Sequence, residues 1–391
     1  MIRTKFIAFA GVAMSTLTTG AIMPILAPLI RSLNLSIQQG GLMLSVSSLA
    51  MAACAGPWGA ASDRWGRAQV LLVGFAGMSL SYLLFAAVVQ EGLSGGIAGT
   101  PLLLLLIAGR AAIIGFLAAI PAAAQALMAD QTQESERASG MAIISAGNGL
   151  GLVLGPALGG LLATAGIVWP LLASAMLCLA GFALVSRGLP RGAPHPAAKL
   201  TPSAQRFPAA LLPWLAASLV SWIAVVTMQV VPGFYFQDRL GLSTAQVSPW
   251  LAAALTLTGL ALFGTQLLQA RLLRWTPRRM IIVGSGLWTT GLLVLLGTAT
   301  IGTYLAAFAV IGAAAGFMMA GSMAGASLAM ASGRQGTIAG LTAVTLGIAM
   351  FAAPVAATAL YELHRLLPFA CLIAIVCCVG AIAASRPLPN K

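Results

Sequence analysis

One charged residue stands inside a long apolar run: Arg110, within 102–116, among leucines, isoleucines, alanines and glycines. A guanidinium stays ionised in any protein environment and offers a planar fork of N–H donors suited to carboxylate oxygens. Holding that charge at depth in a bilayer costs at least ~2.5 kcal/mol, so it must face a bundle interior, water or a partner, or snorkel to an interface. Ile114, Leu117 and Pro121 continue its helical face, and Gln125 lies near that face. The acids are informative by where they are missing. All seven (Asp63, Glu91, Asp130, Glu134, Glu136, Asp238 and Glu362) fall in turns or at the ends of apolar runs. His195 sits in a polar linker and His364 in a turn. No nucleophile–base pair and no set of metal ligands can be assembled from such positions, so the reading is no enzyme, no metal and no cofactor. The five cysteines (Cys54, Cys178, Cys371, Cys377, Cys378) all lie in apolar runs and read as small core residues, not as a disulfide framework.

The elements that must position these residues are set by composition. Hydrophobic residues make up 60% of the 391 and charged residues 7%, where a soluble domain carries about 25% charged residues. The expected fold class is therefore an all-α membrane protein with twelve transmembrane helices in two pseudo-symmetric six-helix bundles. Spans are expected at 6–30, 41–61, 70–90, 101–128, 139–164, 168–187, 209–236, 247–270, 280–298, 303–331, 337–361 and 367–384. The net charge of +13 does not point to nucleic acid, because the basic residues fall one or two per turn. With the N-terminus inside, sixteen Lys and Arg lie on the cytoplasmic side and three outside (Arg31, Arg239, Arg365). That bias puts both termini in the cytoplasm.

Residues 188–208 form the one long polar segment, rich in proline and basic residues, and read as a cytoplasmic linker. It divides the chain into an N-terminal bundle, 1–187, and a C-terminal bundle, 209–391. The halves echo each other. Arg64-Trp65 and Gly74 recur as Arg274-Trp275 and Gly284, Gly115-Phe116 as Gly316-Phe317, and Pro156 as Pro354. Leu273 stands in the second copy where Asp63 stands in the first.

Two strings carry a family resemblance. Gly59-x-x-x-Asp63-Arg64-x-Gly66-Arg67, between the second and third spans, resembles the loop signature of the major facilitator superfamily, with Ala68 in place of its usual second basic residue. Gly151-x-x-x-Gly155-Pro156-x-x-Gly159-Gly160 resembles the fifth-helix signature of that superfamily's drug/proton antiporters, which marks exporters. Read physically, the glycines make a ridge for backbone-to-backbone packing, and Pro156 bends the helix into a pivot. The Ala-Gly-Arg around Arg110 is similar to the fourth-helix signature of the same antiporters, in which the arginine is linked to proton transfer.

The resemblance implies that Asp63, Arg64 and Arg67, with Gly59 and Gly66, form a gate at the cytoplasmic face. It implies that Met14, Thr19, Met23, Trp222, Gln229, Met318 and Ser322 line a central cavity. The expected function is secondary active export of a small organic molecule by alternating access, coupled to protons. An ionised Arg110 without a buried acid favours an anionic substrate, such as a siderophore or organic acid. The alternatives are export of neutral hydrophobic drugs or lipid flipping on the same scaffold. The expected partners are the substrate, protons and the lipid bilayer, for a monomer in the bacterial inner membrane that binds no nucleic acid.

Overall fold

A bilayer offers no water to unpaired peptide groups, so a chain this apolar must pair its backbone within helices. The computed structural model describes residues 2–131, 137–189, 211–297, 300–329 and 335–385. Among them there is no strand, and twelve helices are long and apolar enough to cross a membrane. They are α1 (Arg3–Ser32), α2 (Ile37–Trp65), α3 (Arg67–Ser94), α4 (Gly99–Asp130), α5 (Ile143–Ala163) and α6 (Trp169–Gly188). The chain continues with α7 (Leu212–Val230), α8 (Thr244–Leu273), α9 (Pro277–Gly297), α10 (Ile301–Leu328), α11 (Gly340–Leu363) and α12 (Leu367–Ser385). The linker expected at 188–208 falls, from 190 onward, outside the described residues, as do Glu134 and Glu136.

Proline sets the departures from straight spans. In α1 the backbone tightens to a 3-10 turn, Met23–Ile25, around Pro24. The seventh span, expected as one run to 236, stops at Val230, and a second helix, Pro232–Leu240, continues it. In α4 the helix is interrupted at Ala118, between Gly99–Leu117 and Ala119–Gln131. The ring of Pro121 explains that break, since it crowds the carbonyl four residues earlier and supplies no N–H. Ends are capped in ordinary ways. Ser36 and Gln39 form a reciprocal capping box at the start of α2.

The chain clusters into two compact units, one built from α1–α6 together with Thr244–Ala252, the other from the remainder of the second half. The short start of α8 thus groups with the first unit. A Cβ on Gly160 would run into Ala252 and lie 3.1 Å from the Ser248 carbonyl, so glycine at 160 permits that close approach. Within the first unit α1 packs on α5 and α6, and α3 on α4 and α6. Within the second, α7 packs on α11, and α9 on α10 and α12. The echo read in the sequence has a packing basis at Gly74 and Gly284. A Cβ at Gly74 would sit 3.1 Å from Ala119 of α4, and one at Gly284 would sit 3.1 Å from the Ala314 carbonyl of α10.

Three of the five cysteines differ from expectation. Cys178 is buried and Cys54 half-buried, but Cys371, Cys377 and Cys378 lie on the exposed surface of α12. In a membrane helix the outward face meets hydrocarbon, so small apolar residues are as much at home there as in the core.

Candidate functional site

The glycine ridge of α5 meets α1 one helical turn at a time. A Cβ on Gly147 would lie 2.6 Å from the Phe9 carbonyl, one on Gly151 2.6 Å from that of Ala13, and one on Gly155 2.8 Å from that of Leu17. A Cβ on Gly159 would overlap the Ala21 carbonyl. Both helices advance by four residues per contact, so they run parallel with backbones touching, a geometry open only to residues without a side chain. Gly20 of α1 completes the seam, since its own Cβ would sit 3.2 Å from Gly155 Cα and from the Pro156 ring. In the second unit a Cβ at Gly340 or Gly347 of α11 would meet nothing within 4 Å, and the close glycine contacts lie instead on α10, where a Cβ at Gly312 would run into the Thr258 carbonyl of α8 and one at Gly316 would lie 2.7 Å from that of Leu262. Gly149, outside the α5 ridge, is as open as the α11 pair.

Arg110 lies inside the first unit and is 3% exposed. Its electrostatic neighbour is Tyr82 of α3, which interacts in turn with Thr18 of α1 and Cys178 of α6. Among the described residues neither Arg110 Nε nor Nη1 finds a hydrogen-bond acceptor. The guanidinium expected to face a substrate anion is thus enclosed in this structure. The segment of α4 that carries Arg110, Gly99–Leu117, packs on α2 and α3, and the side chain is enclosed beside Tyr82 of α3. Gln125, expected near that face, is exposed. At the break in α4, the Trp58 indole N–H donates to the Gly115 carbonyl at 2.8 Å, and its ring lies 5.9 Å from that of Phe116.

Thr16 of α1 donates to Asn148 Oδ1 of α5 at 2.8 Å, and this bond is exposed. Thr19 and Met23 continue the same side of α1, both half-buried, with the Thr19 hydroxyl donating to the Thr16 carbonyl at 2.9 Å. Asn148 was hidden in the sequence within Gly147-Asn-Gly149 and was absorbed into the ridge. The signal that would have found it is a lone carboxamide in an apolar span.

The loop signature builds a three-way tie. Gly66 alone joins α2 to α3, at a φ of 93° that only glycine takes without strain. Arg67 pairs with Asp63, donates from Nε to Asp130 Oδ2 at the end of α4 at 3.0 Å, and reaches Ser62 Oγ at 3.2 Å. Arg64 is exposed. Gly59, expected to allow close approach, has open space where a Cβ would stand, as does Gly56. The corresponding turn of the second half has another construction. Arg274 takes a φ of 45° after a π-helical turn, Gln269–Leu273. Trp275 stacks on Phe317 at 5.1 Å, and the Arg279 guanidinium sits over Trp275 at 4.4 Å. A cation–π stack thus stands where the acid was lost at Leu273.

In the second unit Trp222 and Gln229 are half-buried on α7. Met318 and Ser322 are buried, and a Cβ on Gly284 would touch Met318, so Met318 packs against α9 within its own unit. Asp238 follows the break in the seventh span, accepts from the Tyr361 hydroxyl at 2.7 Å and lies 3.9 Å from Arg365. Among the described residues no group of three or more His, Cys, Asp or Glu could hold a metal ion.

Twelve membrane-length helices in two internally similar units, a charge-tied loop after α2 and a parallel glycine seam define a polytopic membrane transporter. The family model of the Major Facilitator Superfamily matches residues 8–354, and the chain belongs to that superfamily. It is 30% identical over 372 residues to the class G tetracycline resistance protein of Vibrio anguillarum, covering 92% of this chain and 90% of that one. It is 35% identical over 169 residues to the class C tetracycline resistance protein of Escherichia coli, covering 42% and 39% of the two chains. The crystal structure of a bacterial homologue of the human lysosomal transporter Spinster, inward-facing and occupied, superposes with a TM-score of 0.73 at 13% identity over 97% of this chain and 94% of that one. That likeness speaks to the fold.

Proposed function

We propose that this transporter exports a small drug-like organic molecule from the cytoplasm by alternating access, driven by inward proton flow. The observation that carries the reading is the α1–α5 glycine seam with Pro156 inside it, a rigid yet bendable joint in the half that also carries the loop tie. The full-length relationship to a tetracycline resistance protein supports the same direction of transport. The enclosure of Arg110 weighs against a substrate that pairs with a guanidinium, so a neutral or zwitterionic molecule replaces the anionic siderophore or organic acid. Asp63, Arg64 and Arg67 serve as the gate, at the face where the sixteen-to-three distribution of basic residues places the cytoplasm. The protein works as a monomer in the inner membrane.

The test is expression in a bacterial host stripped of its own drug exporters, with tetracycline and a panel of neutral, zwitterionic and carboxylate compounds. The expected result is a several-fold rise in the inhibitory concentration of at least one neutral or zwitterionic compound. Protection confined to carboxylates would restore the anionic reading, and protection against none would refute drug export.

A further inference from the structure

We propose that Thr16 and Asn148 form a hydrogen-bonding station for the exported molecule, one that recognises uncharged oxygen functions such as ketone, phenol and amide carbonyl groups. This rests on the export reading above and names the chemistry of its substrate.

Asn148 is exposed on α5, where apart from Ser145 its neighbours along the helix are glycine and aliphatic residues. A carboxamide facing hydrocarbon with its donors unmet costs about 4–8 kcal/mol, far more than one hydrogen bond to a threonine returns at about 1 kcal/mol. The side chain therefore faces water or a polar ligand, not lipid. Depth argues the same way. Thr16 lies thirteen residues along α1 from Arg3, or about 20 Å at 1.5 Å per residue, well away from the polar headgroups.

The pair is also held in place. Gly147 and Gly151 flank Asn148 on the seam and lock α5 against Phe9 and Ala13 of α1. Thr16 falls next along α1, between the Ala13 and Leu17 contacts, and directs its proton to Asn148 Oδ1. With Oδ1 occupied, the carboxamide N–H₂ is left as a two-donor group toward the open side. That side is open, since Asn148 is itself exposed. Ser145, one turn earlier, is exposed too. The charge set midway along a span of this unit, Arg110, stays behind the surface. A surface of amide and hydroxyl groups without an ion binds oxygen-rich neutral or zwitterionic molecules and gives a carboxylate no counter-charge.

The test uses the full-length protein with its five cysteines replaced by alanine and a single Asn148→Cys substitution, treated in membranes with a charged, membrane-impermeant methanethiosulfonate. Cysteine at 148 is expected to react, and tetracycline is expected to slow the reaction. In the cysteine-containing protein, Asn148→Leu and Thr16→Val are expected to raise the KM for tetracycline transport about three- to ten-fold, the range one hydrogen bond commands. The maximal rate should stay within two-fold, and Asn148→Gln should recover part of the loss. A cysteine at 148 that resists the reagent in folded protein would overturn the proposal, as would an unchanged KM in both variants. Failure of the export reading has a separate signature, because the parent protein then moves no compound while the labelling still reports on position 148.

Discussion

At the scale of single residues, the two polar groups that matter most are set differently from what sequence position implies. Arg110 was legible as an intramembrane charge, because its type and surroundings alone fix the cost. Which way it turns was not, since a helical period defines faces without saying what each face meets. Asn148 was legible as a letter and missed as a group, because the glycines beside it supplied a sufficient account of the string. The enclosure of Arg110 leads to a prediction about stability. Two of its donors lack acceptors among the described residues, and each such group costs about 1–3 kcal/mol. Arg110→Met, of similar length and without charge, should melt at a higher temperature in detergent than the parent while losing export of every substrate alike. A lower melting temperature would show that the guanidinium is a structural prop. Selective loss of carboxylate transport would show that it meets the substrate after all.

At the scale of elements, the spans were the easiest features to read and their partners the hardest. Twelve apolar lengths follow from the bilayer, and so do the turns between them. The spacing of Gly151, Gly155 and Gly159 predicted a close neighbour without naming α1, because small residues specify proximity rather than identity. Proline positions were read as bends in α5, yet the breaks at Pro24, Pro121 and Pro232 shape three other spans. The seam offers an internal control. Alanine in place of glycine in a helix ordinarily stabilises by about 0.5–1 kcal/mol, whereas a methyl forced into a filled contact costs about 1–3 kcal/mol. Gly155→Ala should therefore lower thermal stability and impair transport, its Cβ standing 2.8 Å from the Leu17 carbonyl. Gly149→Ala, in the same helix with nothing within 4 Å, should leave both unchanged or improved. Equal effects of the two changes, measured by melting and by drug protection, would contradict the seam as described.

At the scale of the molecule, the two halves share helix pairings but place their devices on different helices. The first half holds a charge tie at Arg67 and a glycine seam between α1 and α5; the second holds a cation–π stack at Trp275, open glycines on α11 and close glycines, Gly312 and Gly316, on α10 against α8. The duplication was visible in paired residues such as Gly74 and Gly284, whereas its asymmetry depends on contacts that no spacing records. Export by rocking of such halves is the central claim, and everted membrane vesicles test it most directly. With tetracycline supplied outside and a proton gradient acid inside, vesicles carrying the protein should accumulate the drug and release it when the gradient is collapsed. Accumulation equal to that of vesicles without the protein, or flux indifferent to the gradient, would contradict a proton-driven exporter.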